Sequence, residues 1–155
     1  MADLIKLDAL EIGGSFASNG LRFEFRAGGP DDIPEYVGED DNVPTASGLS
    51  PGQWTPKSRL VRLYGCVIGS GADPEAQQQS YRTRMDALVA KMDVATLVDI
   101  TAYAPTFGIT GTATLSDCRP LRTITETIVA DLYWVGFLEL VCIDSPPDWV
   151  IVAGS

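Results

Sequence analysis

The chain has 155 residues, 45% of them apolar, and a formal net charge of −10. This length suits one domain that buries a sizeable core without a metal ion or a disulfide. The acidic balance argues against a nucleic-acid-binding protein, which needs clustered Lys and Arg, and no apolar run approaches the roughly 20 residues that span a bilayer.

The first third of the chain predicts two strands. Residues 4–12, LIKLDALEI, mix apolar and charged residues near period two, and residues 21–27 alternate strictly between apolar and charged side chains. Strict alternation is typical of a strand with one face in the core and the other in water. We therefore expect a half-buried strand at 21–27, after a glycine-rich turn.

Residues 28–58 differ in composition from the rest of the chain. They are rich in Gly and Pro, carry six acids before position 42, and have no basic residue until Lys57. Such a segment offers no apolar face of its own, and long loops are usually functional or become ordered on a partner. We predict a long loop or extended arm, in which Trp54 packs against the domain or against a neighbouring subunit.

The middle of the chain predicts a buried strand and then a helix. RLVRLYGCVIG at 59–69 has few polar positions, which indicates a strand buried on both faces, with Gly65 at a bulge or a close backbone approach. Asp73 suits a helix N-cap and Pro74 the first helical position. We predict a helix at about 74–92. Its core-facing stripe would consist of Tyr81, Met85, Leu88 and Met92, with Val89 beside them.

The remaining sequence predicts strands again, at 96–103, 107–118 and 123–144. The adjacent prolines of DSPPDW, which begins at Asp144, cannot donate ladder hydrogen bonds and should end the last strand. About six strands and one helix, without βαβ alternation, indicate an α+β fold that is mainly antiparallel β. We expect a single domain over 1–155.

The residue types argue against most enzyme chemistry. The chain has no histidine, which removes Ser–His–Asp and Cys–His catalysis and most zinc sites. GSGADP at 69–74 lacks the lysine of a phosphate loop, and its Asp73 would repel an anion, so a helix entry is the better interpretation. Cys66, Cys118 and Cys142 indicate small buried side chains in a reducing compartment. We predict no catalytic, cofactor-binding or metal-binding residue.

Two alternatives from other functional classes stay open. The carboxylates of Asp99, Glu126, Asp131 and Glu139 could supply the acid pair of a small hydrolase. The acidic loop at 31–41 raises the possibility of a carbohydrate-binding or calcium-dependent β-sandwich module, although it lacks the spacing of a calcium-binding loop.

The order of elements resembles that of phage distal tail proteins, and especially that of minor tail proteins from phages that infect actinobacteria. The resemblance rests first on the strand and helix between 59 and 92, where the strand follows an R-x-[VI]-x-L-x-G pattern. The matching positions are Arg59, Val61, Leu63 and Gly65, the Pro/Gly-rich 28–58, the pair Arg119-Pro120, and the acid–proline–aromatic end formed by Asp144, Pro146 and Trp149.

The resemblance implies a tail-tube-like β-sandwich or split barrel over one helix. It also implies a structural virion protein, assembled in the host bacterial cytoplasm, that forms a ring, commonly a hexamer. The ring's partners would be the tail tube protein and the tail tip or hub proteins, without a membrane contact or a specific nucleic-acid motif. Many relatives continue into a second domain that can bear carbohydrate-binding features, whereas this sequence stops at Ser155. If the chain is complete, we expect the ring module alone, without direct receptor binding. The candidate subunit-interface residues are Tyr36, Trp54, Arg59 and Arg62.

Overall fold

The computed structural model of the chain describes residues 4–13, 20–32, 36–37, 41–42, 49–50, 55–56, 58–103, 111–144 and 147–154. Within these residues, one helix is present, α1 (Pro74–Lys91). Its strands are β1 (Leu4–Leu7), β2 (Leu10–Glu11), β3 (Leu21–Ala27), β4 (Tyr36–Val37), β5 (Asp41–Asn42), β6 (Leu49–Ser50), β7 (Thr55–Pro56), β8 (Arg59–Ile68), β9 (Val98–Tyr103), β10 (Thr112–Val129), β11 (Tyr133–Cys142) and β12 (Val150–Val152). The predicted fold class, mainly antiparallel β with one principal helix, is confirmed.

Most of the strands form one large antiparallel sheet in the order β2-β1-β9-β10-β11-β8-β3, with β12 also paired to β10. The long strand β10 changes neighbours along its length. Its first residues pair with β9 and β12, and from Cys118 onward it pairs with β11. The two end strands approach each other at one isolated bridge between Gly13 and Phe23. In the described residues no ladder therefore closes the sheet into a barrel.

One face of the sheet builds the core. Along β8, Val61, Leu63 and Val67 are fully buried, whereas the residues on the other face, Arg62, Tyr64 and Cys66, are partly exposed. The prediction that this strand is buried on both faces is wrong, because only one of its faces packs into the core. Gly65 confirms the predicted close approach, since a Cβ there would lie 1.9 Å from the Arg22 carbonyl oxygen on β3.

The helix begins and ends close to its predicted bounds. Asp73 is the N-cap, and its Oδ1 accepts a hydrogen bond of 2.8 Å from the Ala76 amide. Tyr81, Leu88 and Met92 are buried, and Met85 packs against them from a partly buried position. Val89 was predicted beside this stripe, but it is 59% exposed. A step of one residue turns the helix by about 100°, which carries Val89 away from the core.

Three other strand predictions need correction. The segment 4–12 divides at Asp8, whose φ of 53° turns the chain between β1 and β2. The segments 107–118 and 123–144 were divided at the wrong place, because β10 continues through Pro120 to Val129 and β11 begins only at Tyr133. The predicted end of the last strand is correct, since β11 stops at Cys142. The exposed strand β12 was not predicted.

The predicted arm contains short β-ladders where the structure describes it. β4 pairs with β7, and β5 pairs with β6, both antiparallel and nested in sequence as the two sides of a hairpin are. Trp54 lies outside the described residues. As for membranes, no described helix combines the length and apolar character needed to cross one.

Candidate functional site

The four carboxylates considered as an acid pair are each engaged by a different partner. Glu139 accepts hydrogen bonds from both Arg62, at 2.6 Å and 3.0 Å, and Arg122. Glu126 accepts a hydrogen bond of 3.1 Å from the Tyr64 hydroxyl. The other two also have partners: the carboxylate of Asp131 accepts two hydrogen bonds from Arg82, and that of Asp99 accepts one from the Asp117 amide.

The electrostatics of Glu139 and Asp131 do not suit a general acid. The hydrogen bonds from Arg122 and then Arg62 lower the pKa of Glu139, and the hydrogen bond from Arg82 lowers the pKa of Asp131. A glycosidase of the paired-carboxylate type needs one carboxyl group with a raised pKa, so that it is protonated at working pH. These two carboxylates are shifted in the opposite direction, as structural ion pairs are.

The glycine-rich turn before α1 is built to pack the helix. A Cβ at Gly69 would lie 2.4 Å from the Gln77 carbonyl oxygen, and one at Gly71 would lie 2.6 Å from the Ala76 Cβ. The Asp73 carboxylate already satisfies an amide of the first helical turn. The turn is therefore a helix entry. Among the residues that the structure describes, no three Cys, Asp or Glu side chains converge as metal ligands would.

The feature that stands out is the edge of the sheet at β10, which lacks a neighbour among the described strands beyond Cys118. β9 pairs with β10 only as far as Cys118, but β10 continues to Val129. Beyond Cys118, β10 has β11 on one side and no described strand on the other. At the far end of β10-β11-β8-β3, which we name the four-strand segment, β3 has β8 on one side; on its other side Phe23 bridges to Gly13 and its amide donates to the Ile12 carbonyl.

The open edge of β10 is also apolar. All the residues from 121 to 129 are exposed, although several have large apolar side chains. An exposed apolar strand with an unpaired edge is a site where another strand can add. The exposed apolar side chains of the β10–β11 hairpin are Leu121, Ile124, Ile128, Val129 and Leu132, between 37% and 57% exposed.

The predicted interface residues lie in different places. Tyr36 is 55% exposed on the short strand β4. Arg59 and Arg62 lie on opposite faces of β8: Arg59 is buried on the core side, and Arg62 is held by Glu139 on the other side. Trp54, as noted, is not among the described residues. The structure therefore does not bring Arg59 and Arg62 together.

Arg59 instead joins the base of the arm to the end of the chain. Its Nε donates to the Pro147 carbonyl at 3.1 Å, its Nη1 donates to the Gly29 carbonyl at 3.4 Å, and its Nη2 lies 3.5 Å from the Asp148 carboxylate. Trp149 adds a hydrogen bond of 2.8 Å from its Nε1 to the Gly28 carbonyl. The direction in which the arm leaves the domain is thus set by these contacts.

Sequence reasoning missed the apolar edge of β10. The segment LRTITETIV at 121–129 contains threonines and charged residues among its apolar ones, as the half-buried strands do. Nothing in that pattern indicates that β9 stops pairing with β10 at Cys118, before this segment begins. The sequence therefore carried no signal for this edge, because the point at which β9 stops pairing with β10 depends on contacts between distant segments.

No protein-family model matches this sequence, and no curated protein matches it. Among solved structures, the chain is similar to one in the extended sheath–tube complex of an extracellular contractile injection system called PVC. That likeness has a TM-score of 0.48 at 11% identity and covers 97% of this chain and 88% of the other. The chain is also similar to one in the cap that terminates the tube of the anti-feeding prophage. Here the TM-score is 0.44 at 11% identity, with 97% and 87% covered.

Proposed function

We propose that the protein is a structural component of a long phage tail that forms a closed ring at its distal end, between the tail tube and the tip or hub proteins. The observation that carries the proposal is the four-strand segment, with the apolar edge of β10 at one end and β3 at the other. Because these are two different surfaces, pairing β10 of one copy with β3 of the next is a head-to-tail contact. Head-to-tail contacts close into rings when the rotation between copies allows it.

The sequence supports the same assignment independently of the edges. The Arg-bearing strand pattern from Arg59 to Gly65, the helix after it and the acidic Pro/Gly-rich segment resemble phage distal tail proteins. A hexamer is the copy number that this resemblance implies. A ring protein needs no catalytic group, which is consistent with the structural ion pairs made by Glu139 and Asp131.

The proposed interface residues have different roles in this ring. Tyr36 and Trp54, on the arm, would contact a neighbouring subunit. Arg62 lies on the exposed face of the four-strand segment, where its guanidinium stacks 5.6 Å from the Phe137 ring centre. Arg59 would contribute indirectly, because its hydrogen bonds to the Pro147 and Gly29 carbonyls hold the base of the arm within its own subunit.

Charge opposes this assembly at low ionic strength. Each copy carries −10, and the repulsion between copies is screened over about 8 Å at 0.15 M salt and over about 30 Å at 0.01 M salt. Association should therefore be measured at moderate salt, and it should strengthen as salt is raised.

The proposal is tested by placing charge on the open edge of β10. Ile124 and Ile128 are 37% and 57% exposed, so the double variant Ile124→Lys/Ile128→Lys should fold and melt close to the wild type. Lysines on an edge strand oppose the addition of another strand, so association should fall at least tenfold by native mass spectrometry at about 0.15 M salt.

The matched control is Val89→Lys, which adds a charge at a side chain of similar exposure on the outer side of α1. The control should associate as the wild type does. If the β10 double variant assembles as well as the wild type, the open edge is not the contact and the ring proposal loses its main support.

A further inference from the structure

Two of the three thiols face each other across the sheet. Cys118 on β10 and Cys142 on β11 are direct cross-strand partners. At the next pair along the ladder, the Ile143 amide donates to the Asp117 carbonyl at 3.1 Å. Hydrogen-bonded and non-hydrogen-bonded pairs alternate in an antiparallel ladder, so the cysteines occupy a non-hydrogen-bonded pair.

This position suits a covalent bond between the two sulfurs. In a non-hydrogen-bonded pair the Cα atoms are about 4.5 Å apart and the side chains are at their closest. Disulfides span Cα separations of about 4.4 to 6.8 Å. Cys118 and Cys142 also point to the same side, since both are buried in the core and both thiols donate to the Ser116 carbonyl, at 3.9 Å and 3.3 Å.

We propose that Cys118 and Cys142 close a cross-strand disulfide when the protein meets a low-molecular-weight disulfide oxidant. The Cys142 thiolate attacks one sulfur of the oxidant, the oxidant's S–S bond breaks, and one small thiol leaves. The Cys118 thiolate then attacks the Cys142 sulfur of this mixed disulfide and expels the second small thiol. The cysteines are oxidised by two electrons, the oxidant is reduced to two thiols, and the two cysteine protons end on those thiols.

Cys142 is the first nucleophile because of its place in the fold. It is the last residue of β11, and Ile143 after it is 50% exposed, so a small opening of the strand end brings oxidant to this sulfur. Cys118 lies inside a continuous strand and has no such access. Burial raises the pKa of both thiols, which keeps exchange slow at neutral pH and makes it faster as the pH rises.

The bond would act at the base of the β10–β11 hairpin. Cys118 is the last residue of β10 that pairs with β9, and beyond it the hairpin has its open edge. A disulfide here joins the two strands of the hairpin where it leaves the rest of the sheet. Closing a loop of about 25 residues should raise the melting temperature by roughly 5–10 °C.

The test incubates the full-length protein with oxidised glutathione at pH 8, followed by alkylation of free thiols and peptide mapping. We expect Cys118 and Cys142 in one disulfide-linked peptide, reversed by dithiothreitol, and the rise in melting temperature. Cys66 is partly exposed on β8 and should carry glutathione or stay free. Cys118 and Cys142 that remain fully alkylatable, or that end only as separate glutathione adducts, would overturn the proposal.

Two variants separate this effect from a general response to oxidant. Cys142→Ser should abolish the oxidant-dependent rise in melting temperature, whereas Cys66→Ser should keep it in full. Persistence of the rise in Cys142→Ser would also refute the assignment. Should Cys142→Ser not fold, peptide mapping of Cys66→Ser decides the question, since its remaining cysteines are only the proposed pair.

Discussion

The burial of the acid Glu139 is explained by its two arginine partners. Its side chain is 2% exposed, and it lies between the guanidinium groups of Arg62 and Arg122, which are 42% and 67% exposed. The three residues lie side by side on β8, β11 and β10. From the sequence, Glu139 was one of four acids that could supply half of a catalytic pair, because its two arginine partners come from other strands and strand register cannot be read from composition.

Replacing Glu139 by Gln should destabilise the fold by about 1 kcal/mol at neutral pH. The expected loss of stability is small because both guanidinium groups remain solvated and the pairing is screened by salt. Urea unfolding of the variant measures the change. Glu24→Gln is the control, because Glu24 pairs with Arg26 at the surface and should show no measurable loss.

The same variant should alter the response to acid. The arginines lower the pKa of Glu139 below its ordinary value of 4.5, so its stabilisation is complete above that value. It is lost as the pH falls through the lower pKa of the folded state. Between pH 7 and about pH 3, Glu139→Gln should therefore lose less stability than the wild type. An equal loss in both proteins would mean that this ion pair does not contribute.

Arg59 and Trp149 show what sequence reading misses at the residue scale. Both act through backbone carbonyls, at Pro147, Gly29 and Gly28. A carbonyl is present at every position and gives no sequence signal. The resemblance to distal tail proteins singled out Arg59 and Trp149, but only the structure shows that they meet at the base of the arm.

At the scale of elements, the helix was the easiest to predict because its signals are local. An N-cap, a proline in the first turn and a stripe of period 3.6 all lie within one segment. The strand at 21–27 was predicted for the same reason, since alternation along the strand is also local. Burial on both faces of β8 was predicted wrongly, because it depends on what packs against each face.

The helix stripe can be tested with two neighbouring residues. Leu88 is 1% exposed and Val89 is 59% exposed. Leu88→Ala should lower the free energy of unfolding by about 3 kcal/mol, since it leaves a cavity in the core. Val89→Ala should change it by less than about 0.5 kcal/mol. Similar losses in both variants, measured by urea unfolding, would show that the helix is rotated relative to the core.

Pro120 explains why β10 was divided wrongly. Proline cannot donate a ladder hydrogen bond, so the sequence favoured a break there. Pro120 faces Leu140 two residues from the Cys118–Cys142 pair, and it therefore occupies another non-hydrogen-bonded position toward β11. Its nitrogen points to the other side of β10, where β9 no longer pairs with it. A proline is tolerated there, as it is on edge strands.

At the scale of the whole molecule, the order of the predicted elements indicated a mainly antiparallel domain, but the path of the sheet required the structure. The sequence indicates turns and alternation. In contrast, the point at which β9 stops pairing with β10 depends on contacts between distant segments. The open edge that supports the ring therefore had no sequence counterpart. The arm was predicted from its composition, because an acidic Pro/Gly-rich segment stands out without any knowledge of contacts.

Removing the arm should separate folding from assembly. Deletion of 31–53, with a short Gly/Ser linker in its place, retains Gly28, Gly29 and their contacts with Arg59 and Trp149. We expect a folded protein with cooperative thermal unfolding and weaker self-association by analytical ultracentrifugation. A deletion variant that is unfolded by circular dichroism would show that the arm belongs to the core of the domain.

Cryo-electron microscopy of assembled tails that contain this chain tests the central claim most directly. The account predicts a closed ring around the tail axis, between tube and tip, in which β10 of each copy lies beside β3 of the next and adds to one continuous sheet. Six copies are expected in that ring. Density for single, unconnected copies on the outside of the tube, away from its axis, would contradict the account.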